Sequence, residues 1–202
     1  MPQNQDIFLE EFLKAKAILK GHFILSSGLH SDTYLQCARV LMDGERSQRI
    51  CRALADKVIE KMGKNFADIV VSPAMGGVVV GYEIGKQLGI PAIFCERSEG
   101  QFVFRRGFEI PKGARVLVVE DVITTGKSSL ETFECIQRMG GEIVAEACMV
   151  DRSNYDDISE HLGVPIISLI DIEVQVFKPN RVPKELENIP PAKPGSRFIK
   201  QH

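Results

Sequence analysis

Arg115-Val116-Leu117-Val118-Val119-Glu120-Asp121-Val122-Ile123-Thr124-Thr125-Gly126-Lys127-Ser128-Ser129 is the stretch that decides the fold. Val116 to Val119 make an unbroken apolar run, the pattern of a strand buried on both faces. Two carboxylates follow at the strand's end, then a turn rich in hydroxyls and Gly, then a helical pattern over 128–139. Ligands of open α/β sheets gather at the carboxyl ends of strands, where loops lead into helix N-termini. Such a terminus offers free N–H groups and a positive dipole, which suits phosphate. Carboxylates that can accept from hydroxyls, set beside a phosphate cradle, point to a phosphorylated sugar. Helix capping explains the hydroxyl residues on its own. It does not explain Glu120-Asp121, because neighbouring carboxylates after a buried strand are costly without partners.

Gly126-Lys127-Ser128 ends like a nucleotide-binding P-loop. That motif requires Gly five positions earlier, and Asp121 stands there. The residue that shapes the loop is missing, so an ATP-type loop is set aside.

Outward from this stretch the same grammar repeats. Residues 67–71 read as a strand, Ser72-Pro73-Ala74-Met75-Gly76-Gly77 as a loop, and 78–88 as a helix ended by Gly89. Gly76-Gly77 permits close backbone approach to an anion, although a plain turn accounts for it equally well. Residues 44–62 form an amphipathic helix stopped by Gly63. Strands are expected over 90–95, 142–150 and 164–172, with a helical turn over 156–162. The strand over 142–150 delivers Asp151-Arg152-Ser153 to the same edge as Glu120-Asp121. At the N-terminus, 6–20 is expected to be an amphipathic helix capped by Asp6, and 21–36 a hairpin. Alternating runs around a Gly-marked turn over 96–110 suggest a mobile hairpin projecting from the sheet. The tail over 179–195 holds Pro179, Pro183, Pro190, Pro191 and Pro194 and is expected to be extended.

The 202 residues suit one domain, and 44% apolar content is enough for a core. A net charge of -2 gives no reason to expect nucleic acid or an anionic membrane as partner. No apolar run approaches the roughly 20 residues of a membrane span, and the polar N-terminus does not read as a secretory signal. Five scattered Cys without a CxxC pair argue against a disulfide framework and a zinc site, and suit a reducing cytoplasm. The four His are isolated, so no metal cluster is read.

The pattern of apolar strand, two acids, two apolar residues, Thr-Thr-Gly and a small hydroxyl residue resembles the phosphoribosyl-diphosphate (PRPP) signature of type I phosphoribosyltransferases. Three further segments resemble the orotate phosphoribosyltransferases: Ser27-Gly28-Leu29-His30-Ser31-Asp32-Thr33-Tyr34 in the hairpin, Glu96-Arg97 opening a loop, and Val150-Asp151-Arg152. The resemblance runs from about residue 20 to Lys193-Pro194-Gly195-Ser196. It departs at Ser26 and Leu29, where many members carry Lys and Arg. It departs again in the loop after Arg97, which holds Gln101, Arg105 and Arg106 but no Lys or His.

The resemblance implies an α/β type I phosphoribosyltransferase fold: a central mostly parallel sheet flanked by helices, with a small N-terminal hood and a flexible hairpin loop. One domain would cover 1–202, with the hood over 1–40 and the core over about 44–172. The implied reaction is transfer of the phosphoribosyl group of PRPP to orotate, giving orotidine 5′-monophosphate and diphosphate in de novo pyrimidine (UMP) biosynthesis. Asp121, Glu120 and Arg97 would be the catalytic residues. PRPP would be bound by Glu120, Asp121, Val122, Ile123, Thr124, Thr125, Gly126, Lys127, Ser128, Ala74, Met75, Gly76 and Arg97. Orotate would lie against Thr124 and Arg152. Mg²⁺ would be held mainly through PRPP and not by a protein ligand set. A cytoplasmic homodimer is implied, with sites shared so that Arg97 reaches across the interface. Two other readings stay open: a phosphoribosyltransferase for a purine or other base, and a non-catalytic PRPP-sensing regulator. The absence of a basic arm weighs against the regulator, and the depleted loop weighs for it.

Overall fold

The computed structural model describes residues 3–25, 27–153 and 155–194. In chain order the elements are α1 (Gln3–Lys14), β1 (Ile18–Ile24), β2 (His30–Leu35), α2 (Ala38–Leu41), α3 (Gly44–Met62), β3 (Ile69–Pro73), α4 (Gly77–Leu88), β4 (Ala92–Ser98), β5 (Gln101–Val103), β6 (Arg115–Ile123), α5 (Lys127–Arg138), β7 (Glu142–Asp151), α6 (Ile158–Leu162), β8 (Ile166–Asp171), β9 (Val176–Phe177) and α7 (Lys184–Glu187).

The main sheet has six strands in the order β5-β4-β3-β6-β7-β8. All neighbours run parallel except β5, which returns antiparallel along β4 as the edge. Strand β6 lies inside, between β3 and β7, and Val116 to Val119 have no exposed surface. Side chains alternate across a strand, and the two cores follow that alternation. Leu117 and Val119 pack with Ile50, Leu54, Val58, Val80 and Ile84 of α3 and α4. Val116 and Val118 pack with Phe133 and Ile136 of α5 and with Ile158 and Leu162 of α6. Helices therefore cover both faces, the arrangement that lets a parallel sheet read as continuous hydrophobic runs.

From β3 the chain turns to β4 on one side and later resumes with β6 on the other. The loops after β3 and β6 thus diverge, and the crevice between them is the topological switch point where such sheets bind ligands.

The hood is a three-stranded sheet, β1-β2-β9. The hairpin over 21–36 is present, with β1 and β2 antiparallel and a register shift between Lys20 and Phe23. Its third strand comes from the far end of the chain, where Ser31 pairs with Val176 and Phe23 bridges to Ala192. The site expectations at Ser26 and the tail residues Gly195 and Ser196 lie outside the described residues.

Several boundaries differ from the sequence reading. The N-terminal helix ends at Lys14, not near residue 20, and Asp6 sits within its first turn instead of capping it. Ile18 and Leu19 pair with Leu35 and Tyr34, so a strand takes the residues that helical spacing had claimed. The tail is not wholly extended, since α7 forms after Pro183, a position before the first turn where Pro is harmless. The hairpin over 96–110 does not project. It continues the sheet edge, with Phe102 buried beside Cys95 and Cys135. At the opposite edge, Lys57 and Lys61 of α3 donate to the Ser168 and Ile166 carbonyls of β8 at 2.5 and 3.1 Å. Charged donors on an open strand edge discourage pairing with another chain.

Candidate active site

The two carboxylates are the last part of β6, not a loop after it, because the strand runs on to Ile123. Continuing its alternation, Glu120 falls on the α5 face and Asp121 on the α4 face. Glu120 shares a hollow of about 240 Å³ with Ser27 and the run 122–129. Asp121 lies against the loop after β3. A Cβ built on Gly76 would stand 2.6 Å from both of its carboxylate oxygens. That loop contains a cis peptide between Ala74 and Met75 and leads straight into α4.

Both acids are enclosed in a way that penalises ionisation. Burial holds Glu120 well above the usual carboxylate range, and the neighbouring Asp121 and Glu146 carboxylates add to the effect. Its Oε2 is buried without a hydrogen-bond partner. Burial also raises Asp121, partly offset by the Val122 N–H, which donates to Oδ1 at 3.0 Å. Carboxylates in this condition gain by receiving hydroxyl donors or a cation.

The helix ends at the crevice complement the acids. α5 begins from Gly126 in the left-handed region and has no side-chain cap. The left-handed turn favours Gly there, and an added Cβ would also press on the flexible end of Leu162, 2.8 Å from its Cδ2. α4 begins from Gly76, again without a side-chain cap. The long helix α3, away from the crevice, is capped by Asp43, which accepts from the Arg46 N–H at 2.9 Å. Two uncapped N-termini, one beside each carboxylate, make two anion-binding positions flanking a hydroxyl-binding pair.

Arg152 follows β7, and its N–H donates to the Ile123 carbonyl at 3.0 Å. Burial pushes its guanidinium below the usual value, while the fields of Tyr34 and Cys37 work the other way. Asp121 in turn helps raise Tyr34 and Cys37, after burial. The hood strand β2 and the turn after it therefore close the crevice over Asp121 and Arg152.

Arg97 stands apart. It is exposed, donates to Glu131 and to the Gly100 carbonyl at 2.6 Å, and lies 4.4 Å over the Phe102 ring. In its own chain it is thus turned along the hairpin, not into the crevice. Arg105 and Arg106 both pair with Glu96, at 3.3 and 2.7 Å. Lys127 is exposed, 3.9 Å from Glu131. Sequence reasoning missed Glu146 and Ser129, a buried pair beneath the first turn of α5. The available signal was one acidic residue inside the otherwise apolar strand pattern of 143–150. A larger hollow of about 380 Å³ lies between hood and tail, lined by His22, His30 and Glu187. Of the residues singled out in sequence, His30 of the hairpin motif and Pro179 of the tail line it, and none of the residues expected to bind substrate does.

Among the described residues, no helix is long and apolar enough to cross a membrane, and no three His, Cys, Asp or Glu side chains group as a metal site. The family model described as the phosphoribosyl transferase domain matches residues 40–180. The chain is 53% identical over 196 residues to the orotate phosphoribosyltransferase of Sphingopyxis alaskensis, covering 97% of this chain and 98% of that one. It is 47% identical to the orotate phosphoribosyltransferase of Parvibaculum lavamentivorans over 97% of this chain and 99% of that one. Among solved structures, orotate phosphoribosyltransferase from Aeropyrum pernix superposes with a TM-score of 0.68 at 26% identity, covering 81% of this chain and 93% of that one.

Proposed function

The chain belongs to the phosphoribosyltransferase family, with about half its residues identical to named orotate phosphoribosyltransferases along nearly its whole length, and from its site we propose how it works. It is a pentosyltransferase that moves the phosphoribosyl group of PRPP onto orotate, giving orotidine 5′-monophosphate and diphosphate in pyrimidine biosynthesis. The observation that carries this reading is the enclosed carboxylate pair flanked by two uncapped helix N-termini.

The 5-phosphate lies at the start of α5, on the N–H groups after Gly126 and the hydroxyls of Thr124, Thr125 and Ser128. Glu120 and Asp121 accept from the ribose 2- and 3-hydroxyls, which gives the unpartnered Glu120 Oε2 a donor and adds one to Asp121. The diphosphate lies along Ala74, Met75 and Gly76 at the start of α4. In the transfer, the C1–oxygen bond to diphosphate breaks as orotate nitrogen approaches C1, and positive charge develops on the ribose ring. Orotate is already an anion, so the chain's task is mainly to align the partners and stabilise charge. Arg152, with Thr124 nearby, holds the planar orotate carboxylate, for which a planar guanidinium is suited.

The donor set fits a hydrated Mg²⁺ carried on PRPP: two acids, one with an unpartnered buried oxygen. When bound there, Mg²⁺ supplies neutralisation of the leaving diphosphate. The acids would then hold the ribose hydroxyls or the water shell of a metal carried on PRPP.

The working unit is a homodimer. Met75, Val79 and Tyr82 form an exposed apolar stripe at helical spacing that starts in the diphosphate loop itself. A second copy seated on this stripe brings its residues to the site, which gives a role to Arg97 of the partner subunit over the diphosphate. The five Cys are all buried and unpaired, in keeping with a reducing cytoplasm. One assay tests the reading: consumption of orotate with PRPP and Mg²⁺, run beside adenine, hypoxanthine and uracil. Orotate alone should be consumed, with diphosphate released. Consumption of a purine would overturn the choice of base, and PRPP binding without turnover of any base would identify a sensing protein instead.

A further inference from the structure

Glu146 has no exposed surface, yet it is an acid in a strand whose neighbours are Ala145, Ala147 and Cys148. It lies on the α5 face, paired with Val118 across the β6–β7 ladder, one same-face step below Glu120, which pairs with Cys148. Its Oε1 accepts from Ser129 Oγ at 2.9 Å, and its Oε2 has no partner. Ser129, only 2% exposed, belongs to the first turn of α5. Burial lifts the Glu146 carboxyl to about 8, with the Ser129 hydroxyl opposing the rise and the field of Asp151 adding to it. At neutral pH the group is therefore mostly the uncharged acid.

Packing does not account for this pair. A Leu or Val would fill the space without enclosing a polar oxygen that lacks a partner, which is an expensive arrangement. The pair does, however, settle two features of the crevice. A Ser hydroxyl in a first turn is free to bond nearby backbone groups. Here it is turned down into the sheet, and the helix begins from Gly126 without a side-chain cap. The same bond ties that first turn to β7 directly below the Glu120 position, so the spacing between the helix N–H groups and the Glu120 carboxylate is set by the sheet and not by the loop.

We propose that Glu146, acting through Ser129, is a positioning residue for phosphoribosyl binding: it anchors the first turn of α5 so that its N–H groups and Glu120 meet the phosphate and the ribose hydroxyls of one ligand together. This rests on the crevice being the PRPP site. Glu146 touches no substrate. Its effect belongs to PRPP, whose two ends it keeps in register, and not to orotate, which lies against Arg152.

The test measures PRPP affinity by calorimetry and steady-state KM values for PRPP and orotate. The proteins compared are the wild type, Ser129→Ala, Glu146→Leu and Glu146→Gln, with the Tm of each recorded. Ser129→Ala and Glu146→Leu should each weaken PRPP binding about tenfold and leave the orotate KM within about twofold. Glu146→Gln keeps an oxygen that can accept from Ser129 Oγ, so it should recover most of the affinity lost in Glu146→Leu. PRPP affinity unchanged in the first two variants would overturn the inference, as would PRPP and orotate affinities falling together with Tm. Should Glu146→Leu fail to fold, Ser129→Ala, which removes one hydroxyl, decides alone. A wild-type chain that does not bind PRPP would sink the reading of the crevice. Wild-type binding with unmoved variants would sink this inference only.

Discussion

Gly76→Ala isolates the alignment of the reacting groups from the stability of the fold. Gly76 sits at φ -57, ψ -42, ordinary helical space that Ala adopts freely. Loss of Gly at a helix entry is a small effect, up to about 1 kcal/mol. The added methyl, however, would stand 2.6 Å from both Asp121 carboxylate oxygens and 2.7 Å from Cγ. Side-chain carbons do not approach that closely, so either the carboxylate or the diphosphate loop must retreat by at least about 0.4 Å, and by close to 1 Å for ordinary contact. Under the proposed mechanism, retreat of Asp121 would move a ribose ligand, and retreat of the loop would move the leaving-group site. A misplacement near 1 Å costs on the order of 100-fold in rate, or about 2.7 kcal/mol of transition-state stabilisation. The expected outcome is a fall of roughly 100-fold in kcat/KM for PRPP with a Tm within a few degrees of wild type. The assay is PRPP-dependent orotate consumption, paired with thermal unfolding. Activity within about threefold of wild type in a folded variant would refute the idea that Gly76 and Asp121 are held at a spacing the chemistry needs.

Asp121→Asn combined with Glu120→Gln should abolish turnover while the protein stays folded, and is expected to raise stability slightly by removing two enclosed acids; retained orotate transfer sinks their assignment as ribose ligands. Arg152→Ala should raise the KM for orotate by at least about tenfold and the KM for PRPP much less; equal losses would make Arg152 a structural residue. Glu146→Gln predicts a pH-dependent stability difference. The Glu146 carboxyl is raised from 4.5 to about 8 in the folded chain, so between those values the folded state binds the extra proton and wild-type stability falls as pH rises. Against Glu146→Gln, wild type should lose up to a few kcal/mol between pH 5.5 and 8.5, read by urea unfolding at both values; an identical stability gap at the two pH values counts against the buried acid.

Local pattern carried a good part of the architecture. Helix α3 begins and ends where amphipathic spacing and Gly63 place it, and α4 ends at Gly89 in the left-handed turn that Gly permits. Pattern failed where a non-local partner outbid it. Ile18 fits a helical stripe with Phe8, Phe12 and Ala17, but it pairs with Leu35 in the hood sheet. β9 is two residues long, too short for any periodicity to register, and exists because β2 offers it an edge. The site divides the same way. Glu120, Asp121, Gly76, Gly126 and Arg152 stand out because each is an unusual residue at the end of a strand or the start of a helix. Glu146 and Ser129 looked ordinary in sequence, and their importance lies in a bond spanning 17 residues.

Sequence alone determined that buried strands alternate with helices, and that two acids and a Gly-bounded hydroxyl turn fall where a strand hands over to a helix. Those are consequences of side-chain period, of backbone freedom at Gly and of the desolvation of charge, all local properties. Only the tertiary structure decided that β3 and β6 are neighbours, which puts the Gly76 loop against Asp121 and opens the crevice between two uncapped helices. Strand order is set by pairings between segments far apart in the chain, whose energy lies in the assembled sheet and in no single stretch of it.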